Sequence, residues 1–402
     1  MNKYYAIILS SLITLTSCNS RKYNAQFSNE EVENMQLQQS EILIPIDDSI
    51  QTIDLNPFIN VERFDFGNIV SSTKVIKLET TSKSIVGGIY KVIVTNSNIY
   101  IYDTYKGGSV IIFDNNGRYV KRLVSGNGPG ELYRVWDMEY DYNNNELYVY
   151  QHPFLVIYDS IGNYLRDTKL PLGFYNFKIT NDGYIFRCIH NDANYHMGEY
   201  HKYTLILTDK NFKVQKVAFP TIPDTKLVGY SYLFNFGNDY IVTTPFTDTI
   251  YTLSNGKLQA KYSLQYKNNL DKKYINYEKH DKLMEYIGAN NIYYHLGTHL
   301  ETNNYSAFFL DNRNGRTIVY MNKTNSNMLG GCGHKIDAHH LPYICYPINT
   351  YNDYFVSLVL PHDYKQYKME SSSALSKEDI EKLESFEEED NPAIVLFKID
   401  KL

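Results

Sequence analysis

From about residue 74 onward, apolar positions fall into short runs rich in Val, Ile, Tyr and Phe, each bounded by Asn, Asp, Ser or Gly. Runs of that length and make-up predict strands rather than helices. The clearest unit is Asn98-Ile-Tyr-Ile-Tyr-Asp103 followed by Val110-Ile-Ile-Phe-Asp-Asn-Asn-Gly-Arg-Tyr-Val120. It reads as strand, loop, strand, tight turn, strand. Asp114 supplies a side-chain acceptor at the start of the turn, and Gly117 takes a positive φ at its end.

The same unit returns as Glu146-Leu-Tyr-Val-Tyr150 with Leu155-Val-Ile-Tyr-Asp-Ser-Ile-Gly-Asn-Tyr-Leu165, about 45 residues further on. Weaker copies lie at 203–214, where Phe212 replaces the turn glycine, at 240–258 and at 307–319. The last copy is split, with Tyr354-Phe-Val-Ser-Leu-Val-Leu360 separated from Ala393-Ile-Val-Leu-Phe-Lys-Ile399. A period of about 40–50 residues holding four short strands predicts a β-propeller blade. Less two helix-like insertions near 267–288 and 365–391, the chain from 74 to 402 holds about six such blades. The segment around Val75-Ile-Lys-Leu78 is expected to pair with the C-terminal residues and close the ring, hiding both edges. The fold expected is therefore all-β, a six-bladed β-propeller over 41–402 with two small helical insertions.

The N-terminus follows a different pattern. Ala6 to Thr16 is a short apolar run behind Lys3, too short for a permanent bilayer span, which takes about 20 residues. It reads as the core of a secretory signal over 1–17. The run ends in Leu15-Thr16-Ser17-Cys18, which resembles the lipobox of bacterial lipoproteins, and that resemblance implies cleavage before Cys18 and acylation of its thiol. Residues 18–40 are polar without apolar periodicity and are expected to be a tether, in which Asn29-Glu-Glu-Val-Glu-Asn34 could form a helical turn. With no other long apolar stretch, lipid is the expected membrane attachment. The absence of acidic residues after Cys18 favours a periplasm-facing anchor.

Taken in order, Lys77-Leu-Glu-Thr80, Ile85-Val-Gly-Gly-Ile-Tyr-Lys-Val92, Ile99-Tyr-Ile-Tyr-Asp103, Val110-Ile-Ile-Phe-Asp-Asn-Asn-Gly117 and Gly126-Asn-Gly-Pro-Gly-Glu131 resemble the six-bladed β-propeller lipoproteins of Bacteroidota. That family is distantly similar to NHL-repeat propellers, and its function is undetermined. The resemblance is strongest over about 74–165 and returns at Asn391-Pro-Ala-Ile-Val-Leu-Phe397. It implies a fold and a compartment, the cell envelope, and hardly any chemistry.

Composition narrows the partners. Lys and Arg total 39 against 45 Asp and Glu, a formal charge of −6, so a nucleic-acid footprint is not expected. The chain carries 39 Tyr and 19 Phe, which suits strands, with phenol tips expected to reach water at sheet edges. A monomer is expected.

Candidate chemistry is sparse. The glycines of Gly126–Glu131 lack the Lys-Ser/Thr ending of a phosphate loop, and Pro129 removes a donor. The segment reads as an inter-blade turn, with Glu131 and Arg134 as ligand-binding candidates at the mouth of the central channel. Asp141-Tyr-Asn-Asn-Asn-Glu146 has oxygens spaced like the start of a calcium loop, but Glu146 stands where that loop needs glycine, so a hairpin turn is expected. Among eleven His, the group His334, His339 and His340 is the metal candidate, since a catalytic zinc needs three protein ligands and an open position. His190, His196 and His201, and His295 with His299, form other clusters. Cys332 and Cys345 are the local pairing for a disulfide, with three free thiols at Cys188, Cys332 and Cys345 as the plainer alternative. No nucleophile elbow or zinc-protease motif is present. The acidic run Glu387-Glu-Glu-Asp390 reads as a solvated face.

Two functions stand open. One is a lipid-anchored binding or scaffold module for a glycan, a peptide or an envelope protein. The other is a propeller-type lyase or hydrolase with a metal or carboxylates on the channel axis. No cofactor is expected to be needed for folding, because a large propeller buries enough apolar surface without a metal staple.

Overall fold

The computed structural model describes residues 27–62, 64–105, 108–188, 192–220, 233–274, 280–332, 344–366 and 375–402. Six sheets, each with an antiparallel core of four strands, form the six blades of a β-propeller. In chain order their innermost strands are Ile89–Val94, Asp137–Asp141, Asn176–Ile179, Leu233–Phe236, His299–Glu301 and Asn349–Tyr351. Each innermost strand contacts the next, and the sixth contacts the first, so the ring is closed.

Closure is made where the sequence places it. Val70–Lys77 pairs antiparallel with Ala393–Ile399, in the register Val75↔Val395 and Lys77↔Ala393. The free side of Val70–Lys77 is covered by helix Lys377–Glu384, whose Asp379 accepts from Val75 N–H at 2.8 Å and from the Thr73 hydroxyl at 3.0 Å. Asn391, just before the C-terminal strand, donates to the Glu79 and Ser84 carbonyls and accepts from Val86 N–H. The last strand of the chain thereby holds the loop that leads into blade one.

The turns follow their residues. Gly117 has φ +81°, and a Cβ there would stand 2.1 Å from the Lys77 carbonyl oxygen. In the third blade, Phe212 occupies the equivalent turn at φ 62° and stacks on Tyr184 with ring centroids 5.2 Å apart. The aromatic contact offsets the cost of left-handed backbone at a bulky residue. The insertions place helices at His280–Asn290, Pro361–Gln366 and Lys377–Glu384. Glu387 to Glu389 are exposed, as a solvated face requires.

Two expectations need correcting. Residues 27–40 are docked rather than loose. Helix Asn29–Asn34 starts with a Ser28/Glu31 capping box, and Phe27, Met35 and Leu37 are buried. Continuing, Glu41–Ile42 adds to blade three and Gln51–Asp54 to blade four, each as a parallel fifth strand. Their polar sequences concealed them because an outer edge strand has no buried alternation to display. The tyrosine tips also differ from expectation. Tyr100 is fully buried and donates to the Ser160 carbonyl of the next blade at 2.8 Å. Likewise Tyr102 donates to Val135, Tyr240 to Ile179 and Tyr320 to Cys345. These phenols meet carbonyls across blade interfaces, not water. Among the described residues the three cysteines are free thiols, the plainer of the two alternatives, with Cys188 and Cys345 buried and their thiol pKa pushed up to about 12 by that burial.

Tyr100→Phe is expected to lower stability by about 1 kcal/mol, the net worth of one hydrogen bond. Tyr100→Ala, which also opens a cavity, should cost about 3–5 kcal/mol. Denaturant unfolding of both variants checks this, and a Tyr100→Phe variant as stable as the wild type would show that the phenol oxygen contributes nothing.

Candidate functional site

The innermost strand of blade two, Asp137–Asp141, alternates acids with Met138 and Tyr140. A strand places alternate residues on opposite faces, so Met138 and Tyr140 pack against blade one while the acids share the other face. Lys91 from blade one reaches Asp137 Oδ1 at 2.9 Å and Glu139 Oε2 at 3.3 Å. From blade three, Lys178 reaches the same Glu139 oxygen at 2.6 Å, and Phe177 N–H donates to Asp137 Oδ2. Burial pulls the Lys91 ammonium down, but Asp137 and Glu139 outweigh it and raise its pKa. Burial pushes Glu139 up, and Lys178 and Lys91 overcome that and hold it below the ordinary carboxylate value. Two cations and two anions thus cancel within three neighbouring innermost strands.

A second ionic cluster joins blades four and five. Glu301 is buried and meets Lys261 at 2.6 Å, Lys323 at 3.3 Å and His299 Nε2 at 2.9 Å. Both ammonium groups also lie over the Phe236 ring, at 3.9 and 4.3 Å from its centroid. Burial raises the Glu301 carboxyl, while the His299 hydrogen bond and the Lys261 charge more than reverse this and bring it to about 2. His299 itself is pulled down by burial, against the opposing pull of the Glu301 carboxylate. His295, four residues earlier, has its ring nitrogens 3.2 and 3.1 Å from the Thr247 and Thr298 carbonyls. This pair is built into the core and does not form a ligand set.

Beside the first cluster a groove of about 720 Å³ opens across blades two, three and four. Its rim is made of hairpin turns, those at Asp141–Asn143, Thr180–Asp182, Gly237–Asn238 and Asn255–Gly256. Glu139 and Lys178 form its end at the channel, and Tyr184 and Tyr240 line its walls. The Asp141 turn behaves as expected of a hairpin, its carboxylate accepting from Asn143 and Asn144 N–H groups.

The two ligand candidates stand on the opposite face, in the loop between blades one and two. Glu131 folds back on its own loop and accepts from Gly128 N–H at 2.9 Å. Arg134 is exposed and stacks over Trp136 at 4.3 Å, and Trp136 meets Tyr175 edge-on at 6.2 Å. The structure thus places Arg134 in an aromatic cluster and gives Glu131 a partner within its own turn. Cys18, His190, His334, His339 and His340 lie outside the described residues. Among the described residues, no three His, Cys, Asp or Glu side chains stand together as a metal would require.

Sequence reasoning missed Lys91, Glu139, Lys178 and Glu301. A signal was there: a single charge inside an otherwise strand-like run, as in Ile89-Tyr-Lys-Val-Ile-Val94 and Asn176-Phe-Lys-Ile179. Such a charge is costly in a buried strand unless paired.

Glu301, with its carboxyl lowered to about 2, stabilises the fold fully above its ordinary value of 4.5, and that contribution is lost as pH falls toward about 2. Glu301→Gln should therefore flatten the acid limb of the unfolding-temperature profile between those values. It should also cost roughly 3 kcal/mol at neutral pH by leaving two ammonium groups without their carboxylate. Parallel wild-type and variant profiles below pH 4.5 would refute this role.

Comparison with known proteins adds a family and a fold. A crystal structure of a Bacteroides fragilis protein designated as exported matches with a TM-score of 0.71 at 16% identity, covering 87% of this chain and 100% of that one. BamB from Moraxella catarrhalis matches with a TM-score of 0.33 at 10% identity, over 65% of this chain and 63% of that one. The extracellular domain of a one-component system from B. thetaiotaomicron matches with a TM-score of 0.35 at 12% identity, over 72% of this chain and 31% of that one. No curated protein matches the sequence significantly. The family described as "Domain of unknown function (DUF4934)" matches residues 50–398, nearly the whole propeller, and the chain belongs to it.

Proposed function

We propose that this protein is a lipid-anchored β-propeller of the bacterial cell envelope that binds a ligand and leaves it chemically unchanged. The observation that carries the reading is the groove across blades two to four, wide enough for a ligand and lined by fixed polar groups. Its volume lies within the ~300–1,000 Å³ usual for ligand sites. The groups best suited to move protons there are already engaged: Lys178 pairs with Glu139, and Lys216 pairs with Glu41 at 2.9 Å. A general acid or base needs a proton or lone pair free to reach the ligand, and here each ammonium is already tied to a carboxylate.

The compartment is supported by the signal-like N-terminus, the lipobox-like Leu15–Cys18 and the exported designation of the Bacteroides fragilis protein. The docked segment supports an orientation as well. Phe27 packs on His196 at 4.4 Å, under the Lys169 ammonium, among loops on the face away from the groove. Cys18 lies nine residues earlier, a reach of at most ~30 Å. An anchor there would turn the loop face toward the membrane and present the groove outward.

Cys18→Ala should release the protein from the membrane fraction or leave its precursor uncut, and continued incorporation of labelled fatty acid would defeat the anchor. For the groove, the full mature chain in detergent is incubated with envelope glycan, peptide and protein fractions. We expect one class to be retained and recovered at unchanged mass. Cleaved product would favour the lyase or hydrolase reading instead.

A further inference from the structure

We infer that the groove across blades two to four is a carbohydrate site, selective for a neutral oligosaccharide. The inference rests on the binding reading above and specifies its ligand.

Charge excludes the first alternatives. The groove carries Glu139, Asp141, Asp182 and Asp209 against Lys178 and Lys216. Both ammonium groups are already held, Lys178 by Glu139 at 2.6 Å, and Lys216 by Glu41 at 2.9 Å and the Gly256 carbonyl at 3.0 Å. An anionic ligand, such as a phosphate ester or a uronate, would meet excess carboxylate and no available cation. The carboxylates give a basic ligand little to hold. Asp141 accepts from Asn143 and Asn144, and Asp209 accepts through one oxygen from the Asn211 and Lys213 N–H groups, so both are tied to their own turns, which leaves Asp182 as the exposed acid of the rim.

What remains open in the groove is neutral. Asn235 and Asn238 are exposed, and their carboxamides make no hydrogen bond to any described residue. A carboxamide offers two donors and an acceptor side by side, and a sugar hydroxyl both donates and accepts, so the two are complementary without charge. Asn143 and Asn181 on the facing rim hold each other through an amide–amide bond of 3.0 Å, which fixes a further pair of polar groups.

The walls supply the other half of a sugar's surface. Tyr240 is half-buried and held in place, donating to the Ile179 carbonyl at 2.9 Å, while Tyr184 is stacked between Phe186 and Phe212 and offers the groove its phenol edge rather than a ring face. A rigid ring with an apolar face and a polar edge matches a pyranose, which has a C–H face and a hydroxyl rim. Because these side chains are already ordered, little conformational entropy is lost on binding. A peptide would gain most from an open strand edge along which to pair, whereas this groove runs across the turns of three blades.

The test uses the full mature chain in detergent against a panel of neutral and acidic oligosaccharides three to six sugars long, with neutral and basic peptides of similar size. A neutral oligosaccharide should bind, and Asn235→Ala/Asn238→Ala should weaken it at least tenfold with thermal unfolding unchanged. Since neither carboxamide supports the fold, misfolding does not confound this variant. Tyr240→Phe, which frees the ring, gives a second and milder loss. Preference for an acidic oligosaccharide or a peptide overturns the inference but leaves the binding reading standing. So does a loss of affinity in Arg134→Ala without one in the groove variant, since that places the ligand at the opposite mouth. A neutral oligosaccharide bound in the groove and recovered cleaved supports the sugar site and overturns the binding reading. No binding anywhere in the panel overturns the sugar site.

Discussion

Blades in a propeller share no continuous backbone ladder, so most of what fixes one blade against the next must come from side chains. Apolar burial alone is non-directional and would let the sheets slide or tilt. Here the direction comes from tyrosine. The ring fills the interface, and the phenol donates to a carbonyl on the neighbouring blade or its connecting loop, as Tyr100 does to Ser160 and Tyr320 to Cys345. Tyr351 makes the same kind of link across the closure, donating to Asn96 Oδ1 at 2.7 Å. Each bond adds only about 1 kcal/mol, yet a displaced blade would leave a buried phenol and a carbonyl without partners, which costs more. That asymmetry favours one register for the ring, and it gives tyrosine a role at these interfaces that phenylalanine lacks.

The paired charges near the axis answer a related constraint. The innermost strands crowd together at the centre, where each has one edge without a strand partner. Lys91, Asp137, Glu139 and Lys178 link blades one, two and three there, while Lys261, Glu301 and Lys323 link blades four and five. Replacing a complete buried ion pair by apolar residues can be neutral, but removing one partner is severe. Such clusters therefore penalise misplacement more than they stabilise the correct arrangement, as the tyrosines do.

Much of this was legible in the chain. The strand-turn-strand spacing identified the blades, the Asp-Asn-Asn-Gly turn forecast the left-handed glycine at 117, and Val75–Leu78 was recognised as the closing segment. Those features are local or lie at the chain ends, where pairing possibilities are few. The phenol partners were not legible, because a carbonyl acceptor leaves no mark on the sequence. Neither were the strands Glu41–Ile42 and Gln51–Asp54, which lie at sheet edges and show little buried alternation. The groove was hidden for a third reason. Its lining comes from turns in three blades, each ordinary alone, and only the closed ring brings Asn143, Asn235 and Asn255 to one opening.

The N-terminal strap and the groove are physically one construction. Glu41–Ile42 and Gln51–Asp54 stiffen the outer strands of blades three and four, the strands whose turns carry the outer wall of the groove. Lys216 makes the connection explicit. From blade three its ammonium binds Glu41 on the strap and the Gly256 carbonyl in the turn of blade four. A strap lost from the blade edge would release that ammonium and leave the Gly256 turn without its restraint. The shape of the groove thus depends on residues that lie outside it and precede the first blade. An ordered strap fixes the distance between two blade turns, and a wall held at fixed spacing suits a ligand that is recognised by the pattern of its hydroxyls rather than by its charge.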